Sequence, residues 1–366
     1  MARVYLDHNA TTPLRAEARA AMVGAMDVVG NPSSVHAEGR AAKMVLEHAR
    51  VQVADLVGCK STQVVFTSSA TEAAALAAAQ KDRHGGTFAA LPTEHDCVRV
   101  WSDLALPSLY GRAGMALCGE ADLISTGLLA VSAANSETGI MRAGATVAGS
   151  GQGYSVLCDI TQMAGKTPVV YEGETPSYAI LSAHKLGGPK GVGALINFTA
   201  DDPTPMLRGG GQEMNRRSGT ENVIGIAGFG AAAEAATRDV VAGIWDEVAQ
   251  LRNILENAIA AASDTTIFVG KGAPRLPNTS CMITPGWKGE TQVMQMDLAG
   301  FAVSAGSACS SGKVKASRVL GAMGFDETEA ASAIRVSLGP ETTEENILRF
   351  AESWAARYEK HVKRAA

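Results

Sequence analysis

Between residues 64 and 160 the chain repeats one pattern: a short apolar run, then small polar residues, then a change of periodicity. Val64-Val65-Phe66 runs into Thr67-Ser68-Ser69-Ala70-Thr71-Glu72, and an alanine-rich helix from about 72 to 80 follows. Phe88-Ala89-Ala90-Leu91 precedes Glu94-His95, Leu129-Ala130-Val131-Ser132 precedes Asn135, and Val156-Leu157-Cys158 precedes Asp159. Strands that alternate with helices in this way build an α/β fold, a mostly parallel sheet with helices on its faces. Polar residues just past the strand ends then lie along the carboxyl edge, where such sheets bind ligands.

The rest of the chain adds a second part. At 366 residues there is room for one large domain or two. Val4-Tyr5-Leu6 is a short strand leading into a polar turn, and Ala42, Val45, Ala49, Val53 and Leu56 mark an amphipathic helix from about 37 to 58. Past Arg217-Ser218-Gly219-Thr220 the pattern turns helical, and Val241, Ile244, Val248, Leu251 and Leu255 read as one long helix linking to a smaller α+β domain. Its strands are expected near Cys281-Met282-Ile283, Phe301-Ala302-Val303-Ser304 and Ala333–Ser337. A capping box, Thr342-x-x-Glu345, announces a last helix whose apolar face is Ile347, Phe350, Trp354 and Tyr358.

Lys185 stands out chemically. It follows the apolar run Tyr178-Ala179-Ile180-Leu181 and precedes a breaker-rich turn, Leu186-Gly187-Gly188-Pro189-Lys190-Gly191, and a strand from Val192 to Ile196. A lysine held on a loop between two buried strands loses solvation, which favours the neutral amine, and a neutral amine is a nucleophile for carbonyl groups. The alternative is a surface hairpin lysine. Ser68-Ser69-Ala70-Thr71 opens a helix whose free N–H groups suit a phosphate, with Ser182 and His184 able to face the same group; simple helix capping is the other use of such residues. Asp159 could pair with a protonated ring nitrogen or cap the next turn, and Gln162 could reach a ring hydroxyl. His95 could stack on a planar ring and move a proton, or be structural, while Cys97 reads as a packing cysteine. Cys309 lies in a Ser/Gly-rich loop that should expose its thiol, and Arg335 sits in an apolar strand where it needs a carboxylate, from a substrate or from the protein.

In order along the chain, these stretches resemble the cysteine desulfurases, the NifS/IscS-like group of the class-V aminotransferase family. The resemblance rests on Tyr5–Pro13, Asn31-Pro32-Ser33-Ser34-Val35-His36, Phe66–Glu72, Glu94-His95, Asp159-Ile160-Thr161-Gln162, Ser182-Ala183-His184-Lys185, Arg217–Thr220, Gly306–Cys309 and Ile334–Gly339. It implies a fold-type I pyridoxal 5'-phosphate enzyme with a seven-stranded sheet in a large domain, residues 15–244, and a small domain of residues 1–14 and 245–366 that carries Cys309. It further implies that Lys185 holds the cofactor as a Schiff base, Asp159 and Gln162 bind its ring, and His95 stacks on it. Ala70, Thr71, Ser182 and His184 would hold the phosphate, and Thr220 that of a neighbouring subunit in a homodimer. Asn135 and Arg335 would bind the substrate carboxylate side, and Cys309 would take the sulfur of L-cysteine as a persulfide, leaving L-alanine. The expected partner is a sulfur-acceptor protein, such as an iron–sulfur cluster scaffold or a thiolation protein.

The chain departs from the family pattern at Ser69, at Ala73-Ala74-Ala75, at Asn135-Ser136-Glu137, and in a short segment between His95 and Asn135. A selenocysteine or cystine lyase with the same cofactor, and a sulfur carrier with weak catalysis, are the competing functions. With 32 Lys and Arg against 37 Asp and Glu in no pattern, the charge gives no support to nucleic acid or membrane partners. The six cysteines show no metal-like spacing, so no metal is expected, and a cytoplasmic protein with reduced thiols fits best.

Overall fold

The structure is a computed structural model that describes residues 3–114, 126–142, 153–171, 173, 175–306 and 316–365. Its main sheet comprises, among the described residues, six strands in the spatial order Val64–Thr67, Gly193–Asn197, Tyr178–Ser182, Tyr154–Asp159, Gly127–Ser132 and Phe88–Ala90. Seven were expected. The last four strands of that order run parallel, whereas Gly193–Asn197 is antiparallel to both of its neighbours. The mixed order follows from the short return after Lys185: a turn of ten residues cannot make the crossover that a parallel neighbour requires.

Both faces of the sheet are covered, and side-chain alternation decides which residue goes where. Phe66, Leu129, Val131, Val156, Cys158, Leu181 and Ala194 join one apolar cluster with the helices Ala37–Val57 and Val223–Val241. Their neighbours in sequence, Val65, Leu128, Ala130, Leu157, Ile180 and Leu195, pack on the other face against the helix Ala70–Ala78. The alanines of that helix let its axis lie close to the sheet. Gly193 serves the same end, since a Cβ there would come within 2.5 Å of the Ser69 carbonyl carbon.

A second assembly takes in the N-terminal strand and the C-terminal third. Val4–Tyr5 pairs in parallel with Phe301–Ala302, and a four-stranded sheet runs in the order Ser304–Ala305, Ala333–Ser337, Thr279–Ile283, Ile267–Phe268. The stretch expected as one strand over 301–304 is thus two short strands serving two sheets. The expected long helix is present as Ile244–Ala262 and holds four of its five markers, while Val241 ends the preceding helix, Val223–Val241, because Gly243 takes φ 75° between them. The last helix, Glu344–Ala365, is capped one residue later than the sequence suggested: Thr343 Oγ1 accepts from Asn346 N, and Thr342 Oγ1 accepts instead from Gly339 N.

The segment that carries Arg217 and Thr220 is tied down by a buried ion pair. Arg50 Nη1 and Nη2 donate to Glu213 at 2.7 and 2.8 Å, and Phe66 N donates to the same carboxylate at 2.9 Å. Glu213, Met214 and Asn215 all take positive φ, a conformation that non-glycine residues hold only when their surroundings impose it. Glu213→Ala takes the two-pronged carboxylate from the buried Arg50, leaving it only the more exposed Glu47 and the Val64 carbonyl, and is expected to cost about 3 kcal/mol in denaturant unfolding. A loss below about 1 kcal/mol, the range of an exposed pair, would show that the pair does not hold this segment.

Candidate active site

A cavity of about 380 Å³ opens at the carboxyl ends of the parallel strands. Each strand delivers a residue to it. Asp159 ends one strand and Ser182 the next, and Thr93 and His95 follow a third. His184 and Lys185 lie on the tight turn after Ser182, while Ala70 and Thr71 come from the first turn of the helix Ala70–Ala78. Arg335 closes the cavity from the second sheet. Ten of the sequence-derived site residues therefore meet in one place: those just named except Thr93, with Gln162 and Asn135. Thr220 is not among them; it is exposed and lines a separate cleft with Glu213 and Arg217. Cys309 lies outside the described residues.

Lys185 is half-buried, and its Nζ donates to the carbonyls of Asn9 (2.6 Å) and Ala10 (2.9 Å). Its backbone is fixed too, since Thr12 Oγ1 donates to Lys185 O at 2.9 Å. The N-terminal turn Asn9–Thr12 thus aims the lysine, a role not read from the sequence. His184 is driven down to about 4 by burial, with Lys185, Lys190 and Lys166 adding to the shift, so at neutral pH it offers an N–H rather than a charge. Ser69 caps its helix by accepting from Glu72 N, and Asp159 Oδ1 accepts from Thr161 N at 2.9 Å. Both simple capping roles are therefore present, and they orient these residues without removing them from the cavity wall.

His95 Nδ1 accepts from Cys97 N at 3.2 Å and stands 3.0 Å from Cys97 Sγ. A neutral ring that accepts at Nδ1 carries its proton at Nε2. Cys97 packs against the apolar cluster as expected, but it also lines the cavity. Asn135 is largely committed to the protein: its Oδ1 accepts from Glu137 N and Thr138 N, both at 2.9 Å, and its Nδ2 donates to Thr93 O. Arg335 has a carboxylate of the protein as its partner, the second of the two expected uses. Its Nη2 pairs with Asp7 at 2.8 Å and its Nη1 donates to Ser136 O, while Nε has no partner among the described residues.

Beneath this layer lie buried ionisable groups that periodicity gave no reason to notice. Glu94 is pushed up to about 8, chiefly by burial, with the Asp159 charge adding to the rise and a hydrogen bond from Ser132 Oγ opposing it. Glu137, also buried, is pushed up to about 7. Folded Glu94 keeps a proton that the unfolded chain releases above its ordinary value of 4.5. This contribution to stability is complete below pH 4.5 and lost as pH rises through about 8. Glu94→Gln removes that dependence. Urea unfolding of wild type and variant is expected to show a stability gap that widens in the variant's favour with pH, at up to about 1.4 kcal/mol per unit. A constant gap between pH 5 and 8.5 would place Glu94 in an environment other than this one. Among the described residues, no group of three or more His, Cys, Asp or Glu side chains could hold a metal ion.

The fold and cavity define a class: an α/β enzyme with a lysine amine, a carboxylate and a helix N-terminus converging at the carboxyl edge of its sheet. The chain belongs to the aminotransferase class-V family, whose family model matches residues 4–350. It is 37% identical to a cysteine desulfurase of Cereibacter sphaeroides, over 96% of this chain and 95% of that one. It is also 37% identical to a cysteine desulfurase of Klebsiella pneumoniae, over 95% and 90% of the two chains. The solved structure of a NifS-like protein from Rickettsia africae superposes with a TM-score of 0.83 at 28% identity, covering 98% of this chain and 99% of the other. Among the described residues no helix is long and apolar enough to cross a membrane.

Proposed function

We propose that this chain is a pyridoxal 5'-phosphate-dependent cysteine desulfurase. It would convert L-cysteine to L-alanine and pass the sulfur to Cys309 as a persulfide. The observation that carries the reading is the meeting of Lys185, Asp159, Gln162, His184 and Arg335 on one cavity of suitable size. Their donor set fits the cofactor. The amine of Lys185 suits its aldehyde, and the carboxylate of Asp159 suits a protonated ring nitrogen. The N–H groups of Ala70 and Thr71, with Ser182 and neutral His184, suit its phosphate. When bound, the cofactor supplies an electron sink that makes a Cα proton removable and a Cβ–S bond breakable.

The protein's own groups do the rest. Lys185 Nζ takes and returns the Cα proton. The Arg335 guanidinium, oriented by Asp7, binds the substrate carboxylate, and one remaining N–H of Asn135 assists it. The His95 ring takes the proton of the substrate thiol and, as the imidazolium so formed, gives it to the leaving carbon framework. The Cys309 thiolate attacks the substrate sulfur, so that one S–S bond forms as one C–S bond breaks. L-cysteine and a thiol thereby become L-alanine and a persulfide, with no external oxidant. In this reading residues 15–244 form the cofactor-binding domain, and residues 1–14 and 245–366 the smaller domain bearing Arg335 and Cys309. Thr220, exposed in the single chain, completes the site of a second copy in a homodimer. The persulfide then serves a cytoplasmic acceptor, such as an iron–sulfur scaffold.

The test is spectroscopic. The purified protein, incubated with pyridoxal phosphate and dialysed, is expected to hold about one cofactor per chain with a visible absorption band, and L-cysteine is expected to shift that band. A protein that stays colourless after this treatment would overturn the proposal.

A further inference from the structure

Lys166 is a buried amine that this reading does not use. It is 2% exposed and lies on the turn after the strand that ends in Asp159. Its Nζ donates to Gln162 O at 2.9 Å and to Gln162 Oε1 at 3.2 Å, and no carboxylate pairs with it among the described residues. Burying an ammonium group without a carboxylate is costly. An apolar side chain would fill the same space at no such cost, so the amine calls for another explanation.

We propose that Lys166 is a positioning residue that fixes the amide of Gln162, holding Oε1 inward and turning Nε2 to the cavity as a donor. The proposal rests on the cavity being the pyridoxal phosphate site. On one side of Gln162, Lys166 in its ammonium form, which only donates, selects the oxygen. On the other, Gln162 Nε2 donates to Asn9 O at 3.0 Å, a carbonyl that only accepts. A flipped amide would set donor against donor at Lys166 and acceptor against acceptor at Asn9. Nε2 carries two hydrogens. Asn9 O takes one, which leaves the other for an acceptor in the cavity such as the ring hydroxyl oxygen. A cation on Oε1 also polarises the amide and strengthens that donor.

The neighbouring charges agree with a poised group. Burial pushes the amine down to about 7, and Lys185 and Arg335 push it in the same direction. His8 and His184 face it as well, both driven down mainly by burial with the Lys166 charge contributing, while Asp7 acts on His8 in the opposite sense.

The experiment is a double-mutant cycle on the apo-protein titrated with pyridoxal phosphate, using wild type, Lys166→Met, Gln162→Leu and the pair. Two quantities are read: the cofactor dissociation constant and the pH midpoint of the visible band. K166M is expected to weaken binding about tenfold and to move the midpoint, as Q162L does, with the double variant no worse than Q162L alone. The K166M apo-protein is expected to unfold at a higher temperature than wild type, the reverse of what loss of a structural contact gives. A K166M variant that matches wild type in both readouts would overturn the proposal, and so would losses that add in the double variant. K166L, which likewise lacks an N–H donor, carries the same cycle and the same two outcomes if K166M does not fold. Wild-type protein that takes up no cofactor would instead overturn the functional reading.

Discussion

Lys185→Ala is expected to lower alanine formation from L-cysteine by about 10⁴-fold or more, because it removes the group proposed as both nucleophile and proton carrier. The fold should survive, since Lys185 is half-buried on a turn held by backbone contacts, including Gly188 N to Ala183 O. The cofactor should remain bound through the other residues of the cavity but no longer be fixed to the protein by borohydride. Lys166 makes the comparison informative. It is a second lysine near the cavity, and its amine is driven down to about 7, which favours the nucleophilic form. Its Nζ, however, points at the backbone and side chain of Gln162 and does not line the cavity. Mass spectrometry of the borohydride-treated wild type should therefore find the label on Lys185. A label on Lys166, or K185A activity within about tenfold of wild type, would contradict this assignment.

Cys309→Ala separates cofactor chemistry from sulfur transfer. The variant is expected to bind pyridoxal phosphate as wild type does and to show the cysteine-induced spectral change. Release of alanine and sulfide should fall by about 10³-fold, because the thiolate proposed to accept the sulfur is gone. Cys309 itself lies outside the described residues. The strand before it, Ser304–Ala305, is joined to the cavity wall: Ser304 Oγ donates to Asp7 at 2.8 Å, and Asp7 holds Arg335. Equal alanine formation by C309A and wild type would move the sulfur acceptor elsewhere. The thiol of Cys97, which lines the cavity beside His95, would then be the first place to look.

How far the sequence could be read follows from how local each determinant is. Strands and helices of the main sheet are legible because alternation and helical spacing are set by which face is buried. The same logic puts Asp159, Ser182 and His95 at the carboxyl edge. Strand direction was less legible. The reversed run of Gly193–Asn197 depends on how tightly the chain turns after Lys185, and apolar content does not encode that. Gly243 breaks a pattern that Val241 and Ile244 together continue, although Val241 is 83% exposed. The inner residues were hidden for a different reason. Lys166, Glu94 and Glu137 become chemically notable only when distant segments desolvate them, and for the two glutamates nothing in their immediate neighbours announces it. Lys166 carried one overlooked signal, a lysine following Met163-Ala164-Gly165 in an otherwise apolar stretch.

The most direct measurement is the stoichiometry of one turnover. Holoprotein mixed with L-cysteine in the absence of reductant is expected to form one alanine per chain, with a persulfide mass increase of one sulfur on the peptide bearing Cys309. Formation of pyruvate and ammonia without alanine, or alanine with no sulfur on that peptide, would contradict the account.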